Sequence, residues 1–207
     1  MKRILIVASI VLAFAITAGA QDVATGITTC GIKAGLNLAK HTGSDTDDNH
    51  SGLTSFAVGG FVTYVLMAHI ALQPELFYTV KGWKWDDGFW SETGKFTYLE
   101  IPVLVKYMVP MEGNVRPNLY AGPSAAFLLS AKVDWETELD SGSNDVKDDS
   151  KSTEFNLVVG GGVDVPIGNK TATFDIRYTM GMSKIDGADD PANVKNAVIS
   201  ILAGFGF

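Results

Sequence analysis

The sequence predicts an all-β chain: a signal peptide, then eight antiparallel strands closed into an up-and-down transmembrane β-barrel. Three observations carry this expectation. Apolar residues recur at every second position through eight segments; the apolar face of each segment holds no Asp, Glu, Lys or Arg; and long polar connections alternate with short turns. At 207 residues, with 46% hydrophobic and 10% aromatic residues, the chain is long and apolar enough to fold.

Residues 1–20 open with Lys2 and Arg3, continue through the apolar run Ile4–Ile16 and end on Ala18-Gly19-Ala20. This is the pattern of a secretory signal cut before Gln21. No later stretch is long and apolar enough for a membrane helix, so any crossing is made by strands. Cleavage removes two basic residues and takes the formal charge from −7 to −9, which disfavours nucleic acid as a partner. Cys30 is the single cysteine; it lies too far beyond the apolar run for a lipid anchor and is expected at the entry to the first strand.

Residues 21–30 read as a short periplasmic leader and 31–207 as the barrel. The first strand, Gly31–Lys40, sets Ile32, Ala34, Leu36 and Leu38 against Lys33 and Asn37. A polar loop follows over His41–Thr54. The second, Ser55–Leu66, places Phe56, Val58, Val62 and Tyr64 on one face and ends at a tight turn near His69. The third, Ile70–Lys81, alternates Leu72, Leu76, Tyr78 and Val80 with Gln73, Glu75, Thr79 and Lys81. Its partner, Thr97–Met108, alternates Leu99, Ile101, Val103, Val105 and Tyr107 with Tyr98, Glu100, Leu104 and Lys106. Between them Trp83–Lys95 reads as an aromatic external loop carrying Trp83, Trp85, Phe89 and Trp90.

The fifth strand, Pro117–Lys132, opposes Leu119, Ala121, Ala125, Phe127 and Leu129 to Asn118, Tyr120, Ser124 and Ser130. The longest loop, Val133–Ser152, is strongly acidic. The sixth strand, Thr153–Val165, sets Phe155, Leu157 and Val159 against Glu154, Asn156 and Asp164; the seventh sets Phe174, Ile176, Tyr178 and Met180 against Asp175 and Arg177; the eighth runs from Ala197 to Phe207. About ten residues suffice for a tilted strand to cross a bilayer, and an even number of strands lets the barrel close. A single Lys or Arg at mid-bilayer would cost about 2–4 kcal/mol, which explains the charge-free stripes. Phe56, Phe127 and Phe155 toward the long-loop end, with Tyr64, Tyr107, Phe174 and Phe207 toward the short-turn end, form two expected aromatic girdles. Pro74 and Pro102 fall inside strands, where local bulges are expected.

Several quoted stretches together resemble a known group. They are Gly31-Ile32-Lys33-Ala34-Gly35-Leu36-Asn37, Leu72-Gln73-Pro74-Glu75-Leu76-Phe77-Tyr78 with Lys81-Gly82, Tyr98-Leu99-Glu100-Ile101-Pro102-Val103-Leu104-Val105-Lys106-Tyr107, and Gly204-Phe205-Gly206-Phe207. Over nearly the whole mature chain they resemble the small outer-membrane β-barrel domain family common in Bacteroidetes, often called PorT-like or porin-family proteins. The resemblance implies an outer-membrane location in a Gram-negative bacterium, and it implies Phe207 as the C-terminal signal read by the outer-membrane assembly machinery.

An eight-stranded barrel is about wide enough to be filled by its own side chains. Lys33, Glu75, Lys81, Glu100, Lys106, Asp175 and Arg177 all point inward by the strand alternation, so a plugged, ion-paired lumen is expected, with a structural or surface-interaction role. The alternative for the same charges is a narrow porin-like path for ions or small solutes. A soluble lipocalin-like barrel would line its cavity with apolar residues, the reverse of these faces. The tryptophan loop binds a glycan or a protein partner, or else rests in the membrane interface, which is the expectation.

Asp45-Thr46-Asp47-Asp48-Asn49 begins like a calcium loop, but His50 stands where glycine is needed and Phe56 where the twelfth-position Glu belongs. No metal or cofactor is expected. The acidic residues of the long loops read as solvated, with divalent bridging to lipopolysaccharide left open. The three histidines fall at opposite ends of the barrel, so no nucleophile and base meet and no enzyme is expected. The expected partners are the lipid bilayer, lipopolysaccharide and a ligand or protein at the long loops, for a monomeric barrel.

Overall fold

A computed structural model describes residues 26–42, 50–137, 139–148, 150–182 and 195–207, with backbone alone at 40–42, 50, 51, 195 and 196. The signal sequence and Asp45–Asn49 lie outside the described residues. Nine strands follow in chain order: β1 (Gly26–Thr42), β2 (His50–Met67), β3 (Ile70–Asp86), β4 (Trp90–Met108), β5 (Arg116–Thr137), β6 (Ser141–Asp145), β7 (Thr153–Ile167), β8 (Lys170–Gly181) and β9 (Lys195–Gly206). Eight of them close into an antiparallel barrel. Sequence neighbours pair throughout, β5 pairs with β7, and β9 returns to β1. β6 is a short addition to the outer end of β5.

The faces divide as the two-residue period predicts. Ile32 is 63% exposed while its neighbour Lys33 is 1% exposed; Ile201 and Leu202 stand at 56% and 2%. In water this would be an inverted protein. In lipid it is the favourable arrangement, because the exposed apolar side chains meet hydrocarbon and the closed ring leaves no unpaired sheet edge. Phe56, Tyr78 and Phe155 project from one end of this belt, and Tyr107, Phe174 and Phe207 from the other.

Several features differ from the sequence expectation. β1 runs on to Thr42 and β2 begins at His50, so both strands take in residues read as the polar loop His41–Thr54. β1 begins at Gly26, so the strand takes up the end of the segment read as a leader. The stretch read as an external loop over Trp83–Lys95 is mostly strand: β3 and β4 continue past the barrel as a hairpin, and only residues 87–89 turn. β5 likewise extends to Thr137 and β6 follows it, inside what reads as the longest loop. The alternation is present, with Trp83 and Trp85 against Lys84 and Asp86 and with Val133 and Trp135 against Asp134 and Glu136, but its apolar side is the inward one, the reverse of the membrane-crossing segments.

No bulge forms at either proline. Leu72 faces Val105, Pro74 faces Val103 and Phe77 faces Glu100, all at one offset; Pro102 faces Ser124 between the equally in-step pairs Leu99–Phe127 and Val105–Ala121. Proline removes one N–H without adding a residue, so the ladder skips the Glu75–Pro102 and Leu76–Ile101 pairs and keeps its register. Register shifts lie elsewhere, one of them in the β4–β5 ladder. Thr97 pairs with Ser130 but Tyr98 with Leu128, which leaves Leu129 as the extra residue. Beyond it the faces exchange parity, so Ser130 turns outward, against expectation, and Ala131 is buried.

Candidate functional site

The lumen is built from the inward positions of the eight barrel strands. Phe61, Phe77, Tyr98, Leu104 and Tyr120 fill it, each buried. Gly160 makes room for one of them: a Cβ there would lie 2.6 Å from the Tyr120 ring. All seven charges predicted for the lumen are buried, and they form two clusters and a pair.

In the central cluster Arg177 donates to both oxygens of Glu75, at 2.7 and 3.2 Å, and Lys33 reaches Glu75 at 3.1 Å and Asp175 at 2.8 Å. Aromatic faces surround the cations, with Lys33 4.7 Å from the Phe61 centroid and Arg177 5.2 and 5.5 Å from those of Phe77 and Tyr120. Toward the short turns, Lys106 pairs with Asp164 at 2.7 Å. Gln73 joins the two groups, accepting from Lys106 at 3.4 Å and donating to Glu75 at 2.8 Å.

Toward the long-loop end, Lys81 lies 3.1 Å from Glu100 and 3.8 Å from Glu154. Ser124 donates to Glu100 at 2.9 Å, and the Tyr98 hydroxyl donates to Glu154. The predicted set thus divides, with Lys81 and Glu100 apart from the rest. Glu154, Asp164 and Gln73 are members that the sequence list lacks. Their signal was present, since each occupies an inward position of its strand. Four cations face five carboxylates, and the pairing offsets the large cost of burying each charge alone.

Above Lys81 lies an apolar layer of Phe96, Tyr98, Ala126, Leu128 and Ala131, with Trp83 and Val146 packed against it. Above that layer the extended strands form an apical sheet. Trp83, Trp85, Trp90, Glu92 and Trp135 all lie on its concave face, continuous with the lumen wall by strand parity. Trp83, Trp85 and Trp90, with Asp87 and Glu92, line an open cleft of about 530 Å³. Trp90 stacks on Trp135, centroids 5.6 Å apart and planes 14° from parallel. The membrane-interface expectation for Trp83, Trp85 and Trp90 is therefore corrected: the inward parity of the hairpin turns them over the barrel mouth, away from lipid. Phe89 stands at the turn, 79% exposed.

That turn is held by Asp87, whose carboxylate accepts from the backbone N–H of Phe89 at 3.0 Å and of Trp90 at 2.8 Å. These two bonds favour the ionised form and hold its carboxyl below the usual aspartate range. Gly88 completes the turn with φ +89, a left-handed conformation that glycine adopts freely. On the convex face Lys95 bonds Asp134 at 2.8 Å and lowers that carboxyl too.

At the other end Phe207 joins the closing seam. Its N–H donates to the Cys30 carbonyl at 2.8 Å and its carbonyl accepts from the Cys30 N–H at 3.3 Å. Its ring meets Phe205 edge-on at 5.5 Å, and Lys170 stands over both.

Comparison with solved structures places the chain beside small outer-membrane barrels. Ail, the attachment invasion locus protein of Yersinia pestis, is 16% identical with a TM-score of 0.46, covering 87% of this chain and 99% of that one. Neisserial surface protein A is 14% identical with a TM-score of 0.47, covering 86% and 97%. OprG from Pseudomonas aeruginosa is 14% identical with a TM-score of 0.44, covering 86% and 94%. No curated protein sequence matches. The model of the outer membrane protein beta-barrel domain matches residues 21–187. The chain therefore belongs to the outer membrane protein beta-barrel domain family and resides in the outer membrane.

Proposed function

We propose that the protein is a monomeric surface-interaction barrel whose lumen is closed to solutes and whose recognition surface is the apical sheet. The observation that carries this is the contrast between its two ends of space. Within the lumen, the cavity beside Glu100 and Arg177 measures about 20 Å³, room for roughly one water. Outside, the tryptophan cleft is about 530 Å³. Among the described residues, charged side chains reaching across the ring from facing strands, topped by an apolar layer, support a closed lumen. The motifs Leu72–Tyr78 and Tyr98–Tyr107 support membership of the Bacteroidetes branch, and the outward ring of Phe207 at the closing seam supports its role as the assembly signal.

Planar-bilayer recording of the folded barrel tests the closed lumen. The expected outcome is a silent bilayer for the wild type. Steady openings that change amplitude in Glu100→Ala would establish the narrow channel instead.

A further inference from the structure

We infer that the apical cleft is a binding site for a small organic cation carrying an ammonium group. This deepens the surface-recognition proposal and rests on it. Three observations specify the ligand.

The first is a fixed aromatic surface. The Trp83 ring lies over Gly94 and the Trp135 ring over Gly142, where a Cβ would approach each ring to 2.5 Å. Glycine on the adjoining strand lets each indole lie flat against the sheet, and the Trp90–Trp135 stack holds a third ring. The second is the placement of acid. Asp87 is anchored by the two backbone N–H groups of its turn, and Glu92 accepts from the Trp90 indole N–H at 3.1 Å. Both carboxylates line the cleft among the indoles.

The third is the distribution of counter-charge. On the convex face of the same strands Lys84, Lys95 and Lys132 accompany Asp86, Asp134 and Glu136, and Lys84–Asp86 and Lys95–Asp134 form ion pairs at 3.5 and 2.8 Å. On the concave face, among the described residues, no lysine or arginine pairs with Asp87 or Glu92. Among the described side chains, convex charge is balanced and concave charge is not. Indole faces attract cations through their quadrupole, and two fixed carboxylates add a full negative field; an ammonium group satisfies both. An anionic ligand meets repulsion here, and a neutral sugar uses the rings while leaving the carboxylate charge uncompensated.

The test uses the folded barrel in a polyoxyethylene detergent, which has neither charge nor sugar. Choline and butylammonium are titrated at constant ionic strength against KCl, with indole fluorescence and calorimetry as readouts. The expected result is saturable binding of both cations, weakened about tenfold in Glu92→Gln and in Trp90→Ala, with no saturation by 3,3-dimethylbutanol, the neutral isostere of choline. Retention of the gel shift on boiling certifies the barrel of each variant; should Trp90→Ala lose it, the near-isosteric change Glu92→Gln carries the test. Equal binding of the isostere, an unchanged affinity in Glu92→Gln, or no saturable response to either cation overturns the inference. Saturable binding of maltotriose without the cations also overturns it and leaves surface recognition standing. Steady conductance, by contrast, overturns the closed lumen and not the cleft chemistry.

Discussion

Arg177 and Glu75 are separated by 102 residues of sequence and stand on facing strands, β8 and β3, four places apart either way round the ring, yet they meet through two hydrogen bonds of 2.7 and 3.2 Å. The pair is a strut across the barrel. Lys33 and Asp175 complete it, so two cations and two carboxylates balance.

Removing one member should therefore cost much more than removing a matched pair. Glu75→Gln leaves Arg177 and Lys33 facing Asp175 alone, and about 3–5 kcal/mol of destabilisation is expected. The double variant Glu75→Gln, Arg177→Met retains Lys33 with Asp175 and should recover most of that loss. Urea unfolding from lipid vesicles, read by the gel shift, measures both; additive losses would show that the strut is not a coupled unit.

Packing beside the strut gives a second expectation. Gly160→Ala forces a methyl group to within 2.6 Å of the Tyr120 ring and 2.7 Å of the Ile176 carbonyl. A loss of about 1–3 kcal/mol follows from overpacking. Gly60→Ala, whose Cβ would meet only the Gly31 carbonyl at 3.4 Å, serves as the tolerated control. Comparing their melting temperatures in one detergent decides the point.

The lipid belt predicts a dependence on depth. Val159 is 40% exposed and lies midway along β7, opposite Ala121 and Tyr178. Val159→Arg should cost about 2–4 kcal/mol in vesicles. Lys170, at the short-turn end of the belt, should tolerate Lys170→Arg. Folding yield into vesicles of fixed thickness separates a membrane-embedded face from a merely exposed one.

At the apical turn the pH dependence has a definite sign. Asp87 is held ionised by the N–H groups of Phe89 and Trp90, so its carboxyl titrates lower in the folded turn than in an unfolded chain. The stabilisation is complete above the usual aspartate range and is lost as pH falls through the lowered value. Protection factors of the Phe89 and Trp90 amides, each taken against the intrinsic exchange rate at that pH, should fall on that acidification and, in Asp87→Asn, at neutral pH as well, while β3 and β4 amides inside the barrel stay protected. A uniform fall along both strands would contradict a local role.

The barrel was legible in the sequence because one physical rule, lipid outside and polar atoms inside, acts on every second residue of every crossing strand. Lys33 and Ile32 are adjacent in sequence and opposite in environment for that reason. The rule stops at the membrane surface. Trp85 and Lys84, further out along the same strand, have water on the convex side and the cleft on the concave side, so the alternation there runs the other way, apolar inward and charged outward, and a test for an outward apolar stripe passes over it. The pairings across the lumen were equally hidden. Periodicity shows that Glu75 and Arg177 point inward, but their meeting depends on stagger around the ring, which the register of all eight strands fixes together. Leu129 shows the same limit on a smaller scale, since one extra residue against β4 reverses the facing of Ser130.

The closing seam carries a consequence for assembly. Every other barrel ladder joins strands that follow one another in the chain or, for β5 and β7, are parted only by the short β6, whereas Gly31 pairs with Gly206, and the seam forms only after all the intervening hairpins are placed. Until then β1 and β9 are two open edges whose amide groups find no partner in hydrocarbon. Insertion and closure are therefore one kinetic event, with the long-range contact paid for last. A defect confined to β9 should accordingly delay maturation of the whole protein instead of loosening one strand, and its trace would be a long-lived unfolded pool in the periplasm.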